Sequence, residues 1–301
     1  MSRSRHVTSE EYFGRPDVVR EYASFDFLLP PEQVILDELA PLLPRARMLD
    51  LGVGGGRTTL HFVDRVAEYA GVDSSPAMIE ACASRFADRM RPGVSFLVAD
   101  ARELSEFDAE SFDVVLFAFQ GLDSLVDHGE RLKALLEIHR LLAPDGIFVF
   151  SSDNLDYLRD KLSVRKALGD LVRPPGGRLD PLILLRKPRL TVRTLARPLR
   201  LRRHNPSRRS LHRHARYVYL RPPYELSQAG YANPAELIEI DGYAIEPGEQ
   251  MAQLASAGFL DVRTFSPAGT EVTGEDGRIL RQFHWLYYLC RKGRRPAASR
   301  P

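Results

Sequence analysis

Cysteine is nearly missing from this 301-residue chain, in which Cys82 and Cys290 are the only two. They cannot build a disulfide framework or a cysteine-based zinc site, and such scarcity suits a reducing compartment. Long hydrophobic runs are missing as well: nothing approaches the roughly 18 apolar residues that span a bilayer. The start, Met1-Ser2-Arg3-Ser4-Arg5, is basic, but no apolar stretch follows it, so no secretory signal is expected. Internal repeats are also lacking. These absences predict a cytoplasmic protein without a membrane span. The 44% of hydrophobic residues suffices for the core of one elaborated domain, or of a domain with a sizeable insertion.

Net charge is small overall, at +2, yet it is unevenly spread. Residues 1–154 hold 15 Lys/Arg against 26 Asp/Glu, residues 155–222 hold 19 against 4, and residues 223–301 hold 8 against 10. A basic block interrupts an otherwise acidic chain, and that asymmetry needs an explanation.

The hydrophobic pattern supplies the fold. Tyr12, Phe13, Tyr22, Phe25 and Phe27 mark a helical, aromatic first segment, and Pro30-Pro31 opens a further helix. Met48-Leu49-Asp50-Leu51 reads as a strand, followed by a glycine cluster and a helix from Thr58 to Val66. The unit repeats in Tyr69 to Asp73, with Ser74 or Ser75 capping a helix that has Pro76 in its first turn. Val94 to Val98, Phe112 to Phe119 and Ile147 to Phe150 are three more strands, with a helix from Glu130 to Leu142 and a turn at Pro144-Asp145-Gly146 before the last. Five strands alternating with helices predict an α/β fold with a doubly wound, mostly parallel sheet. Frequent prolines break the rhythm over residues 155–234, and order resumes with a helix from Pro247 to Ala257 and two strands, Phe259–Phe265 and Phe283–Cys290. Seven strands are expected in all. The predicted parts are a helical cap (1–45), a ligand-binding core (46–154), a basic insert after the fifth strand (155–234) and a returning segment of the core (235–301).

Chemistry concentrates at the strand ends. The turn Asp50-Leu51-Gly52-Val53-Gly54-Gly55-Gly56 lets the backbone approach a ligand, and the next helix offers it free N–H groups. A dinucleotide fingerprint, Gly-x-Gly-x-x-Gly, needs a third glycine where Arg57 stands. Asp50 would repel a diphosphate but suits a ligand with an ammonium group. Asp73, 23 residues further on, ends the second strand, where a carboxylate can accept from ribose hydroxyls. Asp100 follows the third strand, within reach of an exocyclic adenine amine.

At these residues the chain resembles the class I, Rossmann-like S-adenosylmethionine-dependent methyltransferases, and among them stand-alone bacterial enzymes acting on small molecules or glycans. Five segments in order carry the resemblance: Met48 to Thr58, Gly71-Val72-Asp73, Val98-Ala99-Asp100-Ala101, Phe112-Asp113-Val114-Val115, and Leu142 to Gly146. The resemblance implies S-adenosyl-L-methionine as cofactor. Asp50, Gly52, Gly54 and Gly56 would cradle its methionine part, Asp73 with Ser74 the ribose, and Asp100 with the Ala101 backbone the adenine. Phe119, Gln120 and Gly121 would lie beside the sulfonium and the acceptor. Tyr22 is either a lid over the cofactor or a core aromatic.

Methyl transfer is an in-line displacement, and a base is needed only for an acceptor that must first lose a proton. Position alone offers Asp123, Asp153, Asn154 and Tyr157, past the fourth and fifth strands, although such residues often cap helices. His61 and His139 read as structural, while His204, His212 and His214 lie in the basic insert, from which they could reach an acceptor. Asp153-Asn154 resembles the metal-binding pair of catechol-type methyltransferases, but Ala118 stands where another acidic ligand belongs, so no metal is expected. Arg221-Pro222-Pro223-Tyr224 resembles the motif of amino-methylating nucleic-acid enzymes without the Asp or Asn that holds the target amine.

The expectation is therefore methyl transfer to an O or N atom of a small acceptor, anionic or of glycan or natural-product type, with residues 155–234 as a basic lid. Two alternatives stay open. One is an RNA-modifying methyltransferase, and the other is a non-catalytic cofactor-binding partner subunit. No motif sets an oligomeric state.

Overall fold

A computed structural model describes residues 5–161, 163–172, 179, 182–192, 194–195, 199, 213–221, 238–273 and 277–293. Its centre is a ten-stranded sheet. The strands are β1 (Arg5–Val7), β2 (Arg47–Leu51), β3 (Glu68–Asp73), β4 (Val94–Val98), β5 (Phe112–Phe117), β6 (Leu142–Asn154), β7 (His214–Arg221), β8 (Ile238–Ile245), β9 (Phe259–Phe265) and β10 (Trp285–Lys292). Seven of them form the expected core in the order β4-β3-β2-β5-β6-β10-β9. All are parallel except β10, which runs against both β6 and β9.

Among the described residues the helices include α1 (Ser9–Phe13), α2 (Pro16–Ala23), α3 (Pro30–Leu39), α4 (Thr59–Phe62), α5 (Pro76–Arg85), α6 (His128–Leu141), α7 (Leu155–Lys161), α8 (Val164–Val172), α9 (Ile183–Arg186), α10 (Pro247–Ala257) and α11 (Gly277–Leu280). Local chemistry sets their ends. Ser75 Oγ accepts from the Met78 N–H to start α5, Asp127 accepts from Gly129 and Glu130 to start α6, and Gly258, at φ 96, closes α10.

Both faces of the sheet are covered, as continuously apolar strands require. Ile35, Leu36, Met48, Val63, Val114 and Val149 belong to one buried cluster, and Leu49, Val115, Leu135, Ile138, Phe148 and Phe150 to the other. Alternation along β2 and β5 sends successive side chains to opposite clusters.

Three strands add to the expected seven. β8 pairs in parallel with β1, and antiparallel with β7 along its whole length. It also meets β6 at Asp153 and Asn154, beyond the point where β5 has ended. The returning segment thus brings β8 into the sheet before α10, and β7 comes from within the basic insert. A second difference lies in β6, which starts at Leu142 rather than Ile147. The expected Pro144-Asp145-Gly146 turn is absorbed as a distortion, with Asp145 at φ 60 and a register shift against β5.

Candidate cofactor and acceptor site

The chain runs from β2 outward to β3 and β4, then returns to the other side of β2 for β5 and β6. Ligands of open α/β sheets bind at that reversal, outside the carboxyl ends of the strands. A cavity of about 300 Å³ lies there, lined by residues that follow β2, β3, β4 and β5 and by the N-terminal helices. That volume sits at the lower end of ligand pockets, about 300–1,000 Å³.

The glycine turn forms the floor. Gly52 and Gly54 have φ of 61° and 56°, in the left-handed region, and both line the cavity. A Cβ on Gly52 would meet the Phe117 ring at 2.9 Å, so a side chain there is excluded by space as well as by backbone. Gly56 is different. It does not line the cavity, and a Cβ on it would lie 2.3 Å from the Phe86 ring. Its place in the predicted cradle is corrected to helix packing, where only a hydrogen fits between the turn and α5.

Asp50 also leaves the cradle. It is buried beneath the turn, where its Oδ2 accepts from Thr58 Oγ1 at 2.6 Å and Tyr69 OH at 2.7 Å. Burial pushes its carboxyl up to about 6, against the two hydrogen bonds and the nearby Arg57 charge. Asp50 braces the glycine turn from below instead of facing the ligand, because pleating along β2 turns it away from the cavity.

Asp73 and Asp100 do line the cavity, with Ser74 and Ala101 beside them. The Asp73 carboxylate accepts from the Gly54 N–H and the Ser75 N–H, each at 2.9 Å, tying the glycine turn to the start of α5. Burial raises its pKa, while the backbone donors act the other way. Asp100 pairs with Arg102, which hydrogen-bonds to both of its oxygens and holds its carboxyl below the usual range. Arg102 also reaches Glu130 on α6 at 2.8 Å.

The far end is aromatic. Tyr22, Phe25 and Phe119 line it, with Tyr22 and Phe25 5.3 Å apart and each 6.2–6.3 Å from Phe119. Tyr22 lies over the turn, 3.6 Å from where a Gly54 Cβ would be. Phe119 and Gln120 both have left-handed backbones, at φ 55 and 58, which non-glycine residues adopt only under constraint. The constraint is visible: the Gln120 N–H donates to Ser151 Oγ at 2.8 Å. Arg57 packs over the Phe119 ring at 4.9 Å and is clamped by Glu32 through two hydrogen bonds of 2.5 and 2.6 Å. The Tyr287 hydroxyl donates to the same Glu32.

The position-based reacting groups fare otherwise. Asp123 is buried, accepts from Arg131 at 2.6 Å, Ser152 Oγ at 2.8 Å and the Asp153 N–H at 2.6 Å, and does not line the cavity. Every donor around it comes from α6 or β6, so it locks those elements together, and the catalytic expectation is corrected. Asn154 is likewise a cap, donating to the Leu280 and Phe283 carbonyls and accepting from the Asp156 N–H. Asp153 and Tyr157 are also absent from the lining, and Tyr157 packs beside Leu155 and Leu158. His61 bonds to the Asp26 carbonyl and His139 to that of Gly293, both structural as expected. His214 stacks on His128, with ring centroids 4.2 Å apart, while His204, His212 and Pro222-Pro223-Tyr224 lie outside the described residues.

Sequence reasoning missed Ser9, Glu10, Phe13 and Phe25, which line the cavity from the N-terminal segment, and Gly55 and Arg57. The aromatic spacing of that segment was the available signal. Among the described residues no cluster of His, Cys, Asp and Glu could hold a metal ion, and no helix is long and apolar enough to cross a membrane.

The family described as "Methyltransferase domain" matches residues 48–146, from the start of β2 into β6. Residues 48–146 are a methyltransferase domain. The fold is that of the class I S-adenosylmethionine-dependent methyltransferases. A trans-aconitate 2-methyltransferase of Methylobacterium nodulans is 38% identical over 130 residues, covering 42% of this chain and 46% of that protein. A ubiquinone/menaquinone biosynthesis C-methyltransferase of Citrifermentans bemidjiense is 33% identical over 121 residues, covering 38% and 49%. The chain thus spans about half the length of the curated relatives it matches. The CcbJ methyltransferase of Streptomyces caelestis superposes with a TM-score of 0.54 over 94% of this chain and 98% of its own, at 17% identity, which speaks to fold alone.

The cavity of the methyltransferase domain suits S-adenosylmethionine on its own terms. It joins a glycine floor, where a Cβ on Gly52 would strike Phe117 and one on Gly54 would crowd toward Tyr22, to two carboxylates at successive strand ends and an aromatic wall.

Proposed function

We propose that the protein transfers a methyl group from S-adenosylmethionine to an O or N atom of a small, anionic acceptor. S-adenosylmethionine supplies an electrophilic methyl on a positively charged sulfur. The chain's part is to hold the two reactants in line and to keep water out. Asp73 is proposed to accept from the ribose hydroxyls and Asp100, with the Ala101 N–H, to meet the adenine edge. Gly52 and Gly54 leave room for the methionine part, and Tyr22, Phe25 and Phe119 close over it. Aromatic faces favour a nearby cation, which a sulfonium is.

One observation carries the acceptor reading. From Phe117 to Leu125 the lining residues are Phe117, Ala118, Phe119, Gln120, Gly121, Ser124 and Leu125, with no acid, histidine or lysine among them. An acceptor that must lose a proton in the reaction would find no base on this segment; the acids lining the rest of the cavity are Glu10, Asp73 and Asp100. A carboxylate oxygen or a neutral amine is already nucleophilic and asks only for alignment, for which the side chain of Gln120, in the cavity lining, is the proposed hydrogen-bond donor. The trans-aconitate 2-methyltransferase adds support, since its name makes its acceptor an organic anion. The basic insert would draw such anions in.

The test is to incubate the protein with S-adenosylmethionine labelled in its methyl group and a panel of carboxylic acids, amines, phenols and RNA. Label on a carboxylate or amine supports the reading. Label on phenols alone would require an unseen base, and label on RNA with a steep salt dependence would favour a nucleic-acid substrate.

A further inference from the structure

The basic stretch after β6 exposes aliphatic side chains beside its cations. Leu182, Leu185 and Val192 are 51%, 79% and 68% exposed, and Leu199 is 55% exposed. Arg186, Lys187 and Arg189, in between, are exposed as well. The run is helical on either side of Lys187. The Leu182 carbonyl accepts from the Leu185 and Arg186 N–H groups at 3.0 and 2.9 Å, and the Lys187 carbonyl from Thr191 at 3.0 Å. Isolated apolar side chains on a surface are ordinary; several of them flanking a block of cations mark an interaction face.

We propose that residues 182–192 form a docking face for an anionic lipid bilayer. Leu182, Leu185 and Val192 would enter the headgroup boundary while Arg186, Lys187 and Arg189 meet lipid phosphates. Charge complementarity supports this occupant. Residues 155–222 carry 19 Lys/Arg against 4 Asp/Glu, in a chain whose remaining parts are net acidic. A juxtaposed anionic surface therefore attracts this face and repels the rest, which orients the molecule as well as holding it. Nucleic acid fits less well. Single strands are gripped by aromatic side chains on which bases stack, and residues 182–192 contain no aromatic residue at all. What they offer is aliphatic, and hydrocarbon is what aliphatic groups seek. Docking of this face does not rest on the methyl-transfer reading, although both draw on the charge of the basic insert.

Flotation of the whole protein with lipid vesicles tests the proposal. Vesicles of phosphatidylcholine mixed with phosphatidylglycerol should carry the protein up the gradient, vesicles of phosphatidylcholine alone should not, and added salt should weaken the binding. Leu185→Ser should lower the partition about tenfold, the size expected for an aliphatic side chain no longer entering hydrocarbon. Lys187→Ser and Arg189→Ser should each lower it roughly fivefold. All three positions are exposed, so thermal unfolding and S-adenosylmethionine affinity should match the parent and separate lost docking from lost folding. Three results would overturn the proposal: no partition into the anionic vesicles, partition that Leu185→Ser leaves unchanged, or binding to single-stranded RNA that outcompetes the vesicles.

Discussion

Asp50 and Asp73 are both strand-end carboxylates of the same sheet, and burial separates their roles. Asp50 is held under the turn by Thr58 and Tyr69, with its carboxyl raised to about 6. A raised carboxyl means that the folded state takes up its proton more readily than the unfolded chain, whose value is about 3.9. The stability this group contributes is therefore fully present below about pH 4 and is lost as the pH rises through about 6, a change of roughly 3 kcal/mol. Asp50→Asn keeps an acceptor for both hydroxyls and removes the titration. Melting temperatures recorded across that window should fall with rising pH in the parent and lose this component in the variant. Asp73 faces the cavity instead, so its replacement should be read in ligand affinity. Asp73→Ala removes the proposed partner of two ribose hydroxyls and should weaken S-adenosylmethionine binding at least tenfold by calorimetry. An unchanged affinity there would sink the ribose assignment.

At the scale of elements, the buried Arg131 shows how α6, β6 and α10 are held. It donates to Asp123 and the Leu122 carbonyl, to Ser152 on β6, and to Gln250 and Gln253 on α10. Arg131→Ala strands a buried carboxylate and should cost about 3–5 kcal/mol in chemical unfolding, whereas replacing Asp123 and Arg131 together by Asn and Met should restore much of the loss. The same network explains why Asp123 looked catalytic. Sequence places an acid just past a strand end but cannot show that its partner is an arginine eight residues on. Elements with strong periodicity were legible: β4, α10 and β9 fall where the pattern put them, at Val94–Val98, Pro247–Ala257 and Phe259–Phe265. The β7–β8 pair was not, because Ile238–Ile245 carries Glu, Asp and Gly within eight residues, and its pairing partners lie at the N-terminus and in the insert. The helix expected from Thr58 to Val66 is shorter in the structure. Only Thr59–Phe62 is α-helical, although Val63 and Val66 remain buried as an amphipathic face would require.

Across the whole molecule, sequence and structure agree on the reversal of strand order about β2 and on what gathers there. Gly52 and Gly54 from the glycine turn, Asp73 and Asp100 from their places at strand ends, and Tyr22 and Phe119 from the family resemblance are the expected residues that meet in one cavity. Gly56 and Asp50 were named with them and lie below it, since a one-dimensional motif does not separate residues that touch a ligand from those that support the ones that do. The central claim is that this cavity is built for S-adenosylmethionine and not for a dinucleotide. Calorimetric titration of the purified protein with S-adenosylmethionine and, separately, with NAD tests it most directly. Binding of S-adenosylmethionine alone, in the micromolar range, is the predicted result; no binding of it, or a preference for NAD, would contradict the account.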